Sequence, residues 1–147
     1  MKLSIILPAK NEAAALVRVL PELRQRHPDA EIIVVDDGST DDTAAVCAQA
    51  GVTRLASPYS MGNGAAIKRG ARAATGDVLV FMDGDGQHAP ADVARLLARL
   101  DEGYDMVVGA RSWGGQAGVG RGVANTFYNW LATRMTGHKV ADLTSGF

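Results

Sequence analysis

Glu31-Ile32-Ile33-Val34-Val35-Asp36-Asp37-Gly38-Ser39-Thr40 is the stretch from which the fold can be read. Ile32 to Val35 is an unbroken β-branched run with no polar residue to face water. Such a run marks a strand buried on both faces, as in a parallel sheet covered by helices. Two acids and a Gly-Ser-Thr turn follow at once. The same grammar recurs on both sides. Leu3 to Leu7 reads as a strand that stops at Pro8. Val52 to Ala56, Asp77 to Met82 and Met106 to Val108 read as three more, giving five strands in all. Helical patterns lie between them. Glu12 to Arg26 carries Leu16, Val19, Leu20 and Leu23 at helical spacing. Asn11 is its expected cap, with Glu12 in the first turn. Asp41 or Asp42 can cap an Ala-rich helix through Ala50. Gly62 to Thr75 reads as a helix ended by Gly76. Pro90 opens another that runs to Leu100. Ser112 to Gly122, with Gly114, Gly115, Gly118, Gly120 and Gly122, reads as a mobile loop. Asn125 to Met135 reads as a last helix carrying Phe127, Tyr128, Trp130 and Leu131.

Strands alternating with helices predict an α/β fold with a mostly parallel central sheet and right-handed crossovers. At 147 residues, with no internal repeat or linker, residues 1–147 read as one domain. A net charge of −1 supplies no basic field, which argues against nucleic acid as a partner. Cys47 is the single cysteine, so no intrachain disulfide is possible and a reducing cytoplasm is permitted. No apolar stretch approaches the roughly 20 residues that span a bilayer. Met1 to Leu7 is too short and wrongly flanked for a signal peptide.

Open parallel sheets bind ligands outside the carboxyl ends of their strands. That rule selects the loops Pro8–Glu12, Asp36–Asp41 and Asp83–His88, and the segment from Arg111 onward. Asp83-Gly84-Asp85-Gly86-Gln87-His88 is the strongest of these. Two carboxylates two residues apart can share a hard divalent cation, with Gln87 or His88 as a further ligand. The plain alternative is an acidic turn, but two acids at one strand end repel unless something neutralises them. An EF-hand starting at Asp83 needs Gly at its sixth position and Glu at its twelfth, where His88 and Ala94 stand. An aspartyl phosphatase would want Thr where Gln87 stands. Asp36 and Asp37 can accept hydrogen bonds from a ribose or a base, or can merely cap a helix. Gly62-Asn63-Gly64 imitates a dinucleotide fingerprint, but Ile67 takes the place of the third glycine. Lys68, Arg69 and Arg72 read as a solvated helix face. Arg111 and Arg121 have the fork that grips phosphate oxygens.

Taken together, ILPAKNE, VVDDGSTDDT, SMGNGAAIKRGARAATGDVLVFMDGDGQHAP, VVGAR and DLTSGF resemble the GT-A glycosyltransferases of family 2, in the expected order and over nearly the whole chain. The polyprenyl-phosphate branch, typified by dolichol-phosphate mannose synthases, is the nearest in pattern. The resemblance implies a Rossmann-like nucleotide-sugar-binding fold. It implies transfer of a hexose, with inversion, from a GDP- or UDP-sugar to a polyprenyl phosphate. Alternatives are a saccharide acceptor or a non-catalytic nucleotide-binding piece. Asp83, Asp85 and Gln87 match the positions that hold Mg²⁺ or Mn²⁺. Pro8, Lys10, Glu12, Asp37, Gly84 and Asp85 match the donor-binding residues. Asp85, Arg111 and Arg121 match the catalytic and phosphate-contacting positions, and Asp142 could assist a hydroxyl acceptor. The family continues past the SGF motif, so the pattern implies a chain cut short at Phe147. It also implies membrane contact at the cytoplasmic face in the longer protein. Uncovered apolar residues around Trp130 would favour a homo-oligomer.

Overall fold

The computed structural model describes residues 1–109 and Arg134. The Ser112–Gly122 loop, the last helix (apart from Arg134, which is helical), Arg111, Arg121, Asp142 and Thr144–Phe147 lie outside the described residues. The chain divides into two compact units, Met1–Arg95 and Leu96–Phe147.

The first unit holds β1 (Leu3–Ala9), α1 (Ala13–Arg26), β2 (Glu31–Asp36), α2 (Thr43–Gln49), β3 (Thr53–Ala56), α3 (Asn63–Ala73) and β4 (Val78–Phe81). A further helix, α4 (Asp92–Leu100), begins in it. The strands form one parallel sheet in the order β3-β2-β1-β4. Ile6, Ile33 and Val35 face Ala66 of α3 on one side of the sheet. Strand alternation places Ile5, Leu7, Ile32 and Val34 on the other side. All four are essentially fully buried, as are Leu16, Leu20 and Leu23 of α1. Each such side chain contributes about 1.5–3 kcal/mol relative to exposure. The parallel α/β architecture expected from the β-branched runs is therefore what forms.

Several local expectations are corrected. β1 does not stop at Pro8 but continues to Ala9, with Pro8 opposite Val35. In a parallel ladder a residue's N–H and C=O point to the same side. The Pro8 carbonyl points toward the β4 side, where β4 has already ended at Phe81, so the missing N–H breaks no β1–β2 bond. Asn11 does not cap α1. It takes a left-handed conformation, φ 56°, and the first N–H of α1, on Ala13, donates to Asp41 instead. Gly76 is not the helix cap, since α3 ends at Ala73 and its cap, Ala74, is already in extended geometry. Gly76 is needed for close approach: a Cβ there would stand 2.6 Å from Ser4 Oγ, which its N–H meets at 2.9 Å. Met106 to Val108 forms no strand among the described residues; Met106 and Val108 are exposed. Three apolar residues carry no ladder partner of their own. In that second unit Arg99 pairs with Glu102 and lies over the Tyr104 ring.

α3 packs on the sheet through Gly70. A Cβ at this position would collide with Ile6 Cγ2 and lie 3.0 Å from Val35 Cγ2. Both neighbours are fully buried and β-branched, so neither can yield cheaply. Alanine would gain up to about 1 kcal/mol of helix propensity. Overpacking costs typically about 1–3 kcal/mol. Gly70→Ala is therefore expected to lower the urea midpoint, and a midpoint that stays put or rises would show that α3 sits further from the sheet.

Candidate active site

From β1 the chain steps outward through β2 to β3, then returns after α3 to place β4 on the other side of β1. The crevice between the loops after β1 and β4 is the topological switch point, where such sheets take ligands. Two backbone bonds draw three loops together there. The Gly84 N–H donates to the Pro8 carbonyl at 3.1 Å, and the Asp37 N–H donates to the Ala9 carbonyl at 2.9 Å. Gly84 is required by this contact, because a Cβ would lie 3.0 Å from both Ala9 Cβ and the Pro8 oxygen.

The loops enclose a cleft of about 310 Å³. Pro8, Lys10, Glu12, Asp37, Asp83, Gly84 and Asp85 line it, so seven of the residues expected from sequence meet. Gln87 does not line it and is exposed; its backbone N–H donates to Asp85 Oδ1 at 2.9 Å. Gly86, at φ 79°, makes that turn possible. His88 Nδ1 accepts the Asp83 N–H at 3.1 Å and closes the loop from its other end. Ala9, Ser60, Gly62, Asn63 and Ala66 complete the lining. Sequence reasoning did not place Ser60 and Asn63 there. The signal was available, since they follow the carboxyl end of β3 in the same parallel sheet.

Adjacent acids do different work. Asp36 is buried and takes the Arg54 Nη2 at 2.6 Å and the Ser39 N–H at 2.8 Å. Burial pushes its carboxyl up, but these partners prevail and hold it below the usual range. Asp37 accepts from the Met61 N–H (2.7 Å), the Ser60 hydroxyl (2.7 Å) and the Gly62 N–H (2.9 Å). Those bonds, aided by Lys10, keep its carboxyl low. It thereby ties the segment before α3 to the rim of the cleft. Asp41 accepts the first N–H of α1 and both donors of Thr43, clipping two helix N-termini together. Asn11 fastens the same loops, accepting the Thr40 N–H at 2.7 Å.

Glu12 reports the electrostatics. Its carboxyl is raised by burial first, then by repulsion from Asp85, Asp41 and Asp83. The cleft thus carries surplus negative charge that a cation would neutralise. No group of three or more His, Cys, Asp or Glu side chains forms a closed metal cage among the described residues. Two carboxylates at an open cleft are instead a donor set for Mg²⁺ or Mn²⁺ completed by water and phosphate oxygens. The residues present fit such an ion.

A doubly wound sheet with an acidic crevice at its switch point defines a nucleotide-binding type of α/β domain. The chain belongs to glycosyl transferase family 2, whose model matches residues 4–147. It is 34% identical to the undecaprenyl-phosphate 4-deoxy-4-formamido-L-arabinose transferase of Klebsiella pneumoniae, over 96% of this chain and 46% of that protein. The corresponding Proteus mirabilis transferase is 32% identical over the same shares. The chain spans about half the length of these curated relatives. Among solved structures, glucosyl-3-phosphoglycerate synthase from Mycobacterium tuberculosis, in complex with Mn²⁺ and UDP-glucose, superposes with a TM-score of 0.78 at 29% identity. That match covers 99% of this chain and 54% of the synthase.

The low Asp37 carboxyl sets a sign for pH. A depressed folded-state value contributes stability above the unfolded carboxyl value of about 3.9, lost as pH falls through the lower folded value. Asp37→Ala should therefore lower the melting temperature clearly at neutral pH and progressively less below about pH 4. An equal loss at both would mean that its ionised bonds to Ser60, Met61 and Gly62 do not stabilise the fold.

Proposed function

We propose that this chain is the donor-binding part of a glycosyltransferase acting on a polyprenyl phosphate. The donor is a GDP- or UDP-linked hexose, and the acceptor is dolichyl or undecaprenyl phosphate. The open Asp83–Asp85 pair, at the switch point and in a cleft with surplus negative charge, carries this reading. The relatives' names support the acceptor, and the synthase crystallised with Mn²⁺ and UDP-glucose supports the donor and the ion. Residues 1–147 then act as one catalytic domain, at the cytoplasmic face of a membrane and with self-association open to it.

Asp83 and Asp85 would hold Mg²⁺ or Mn²⁺, which would supply Lewis-acid neutralisation of charge on the departing diphosphate. Gln87 supports Asp85 through its backbone N–H. Gly84 lets the diphosphate approach the backbone. Pro8, Lys10 and Glu12 line the nucleoside side, and Asp37 fixes the Ser60–Gly62 wall beside them. In the reaction the anomeric C–O bond to the diphosphate breaks, and its electron pair leaves with the nucleoside diphosphate. An acceptor phosphate oxygen bonds the anomeric carbon from the opposite face, which inverts it. An ionised phosphate is already nucleophilic, so no strong general base is required. Arg111 and Arg121 are assigned to phosphate oxygens of donor and acceptor.

Calorimetry with UDP and GDP, with and without Mn²⁺, tests this directly. Binding of one nucleotide is expected to need the ion, and Asp85→Ala should weaken it by about tenfold or more. Metal-independent binding, or unchanged affinity in the variant, would remove the basis for the proposed site.

A further inference from the structure

A second concavity of about 300 Å³ lies against α3, lined by Ser57, Met61, Ala65, Lys68, Arg69 and Arg72, with Ala66 shared with the cleft. Its charge is the reverse of the cleft's. Between Asp42 and Asp77 the chain has no Asp or Glu, while Arg54, Lys68, Arg69 and Arg72 all fall there. In a chain of net charge −1 this is a marked local asymmetry. Arg54 is neutralised by Asp36. Lys68 and Arg72 are exposed and have no hydrogen bond or ion pair among the described residues. Arg69 Nη1 donates to the Ala56 carbonyl at 2.8 Å and the Ser57 hydroxyl at 2.9 Å. Its guanidinium is thus fixed at the wall of the groove, with further N–H groups that no described residue takes up. A pre-positioned fork loses less side-chain entropy when it meets a phosphate.

Two large apolar side chains stand in solvent on the same segment: Tyr59 is 68% exposed and Met61 55%. Cations beside protruding aromatic and thioether groups match a bilayer surface, with phosphates outside and an apolar boundary just below. A soluble anion would use the cations but gain nothing from Tyr59. We infer that this groove binds the phosphate of an anionic phospholipid headgroup, with Tyr59 and Met61 entering the interface. The face carrying α3 then rests on the membrane, beside the cleft that shares Ala66 with it. The biological sense of this placement rests on the lipid-linked acceptor proposed above; the groove's chemistry does not.

Co-sedimentation of the 147-residue chain with vesicles tests it. Binding is expected to phosphatidylcholine vesicles that contain phosphatidylglycerol, and not to phosphatidylcholine alone. It should be released near 1 M salt, where the screening length is about 3 Å. Lys68→Glu with Arg72→Glu, a change of four charges, should weaken it on the order of a thousandfold, and Tyr59→Ser should weaken it at unchanged charge. Equal binding to neutral vesicles, or indifference to the double charge reversal, would overturn the inference. So would complete displacement by millimolar inorganic phosphate together with indifference to Tyr59→Ser, which would mark a soluble-anion site. Nucleotide calorimetry on the double variant separates the two proposals. Intact nucleotide binding without vesicle binding in the unaltered chain defeats this one alone. Vesicle binding without nucleotide binding defeats only the earlier one.

Discussion

The last two carbonyls of β1, on Pro8 and Ala9, accept one N–H each from the neighbouring strands' loops, Gly84 on one side and Asp37 on the other. A central parallel strand is needed for this. Only a strand with neighbours on both sides can receive two loops at one end, and β1 is such a strand in the order β3-β2-β1-β4. Everything at the crevice follows from it. Gly84 must lack a side chain, and the acids that flank it are held within reach of Glu12. Without that paired reception, Asp83 and Asp37 would be two unrelated turn residues.

The same junction explains why neighbouring carboxylates have unlike roles. Asp36 ends β2 and turns to Arg54 on the adjacent strand, so its charge is spent inside the fold. Asp37, one residue on, holds Ser60, Met61 and Gly62. Asp83 and Asp85 line the cleft, and the Glu12 carboxyl is raised by its burial first and then by repulsion from Asp85, Asp41 and Asp83. Beyond the shared Ala66, the cleft's acids give way to the cations of α3. A nearly neutral chain thereby presents one negative and one positive concavity.

Much of this was legible in the sequence, and the rest was hidden for identifiable reasons. Ile32 to Val35 announced a strand buried on both faces, and the rule that ligands gather at strand carboxyl ends selected the loops that meet. Asn11 was misread because local preference names it a cap, whereas the bond comes from Asp41, distant in sequence. Pro8 was taken as a stop because its missing N–H matters only when a partner waits on that side. Met106 to Val108 was read as a strand on composition, but three apolar residues do not specify a partner. Residue pattern alone left Asp36 and Asp37 as equal acids, and only the family resemblance singled out Asp37; their unlike partners, Arg54 for one and the Ser60–Gly62 segment for the other, come from elements distant in sequence. Ser60 and Asn63 were missed because Gly62-Asn63-Gly64 was weighed only as a dinucleotide fingerprint and set aside, and β3 is too short and weakly patterned to mark the loop after it as a strand-end loop.

On the proposed reading, the loops after β1, β3 and β4 form one cation-dependent nucleotide site at the switch point. Paramagnetic broadening of amide signals by Mn²⁺, measured with and without UDP or GDP, tests it most directly. With the nucleotide present, broadening should centre on Asp83 to Gln87 and reach Lys10 to Glu12 and Ser60 to Asn63. Lys2, Thr75 and Asp77, hydrogen-bonded together at the opposite end of the sheet, should be spared. Broadening centred on those three, or a pattern that ignores the nucleotide, would mean that the crevice is not the site.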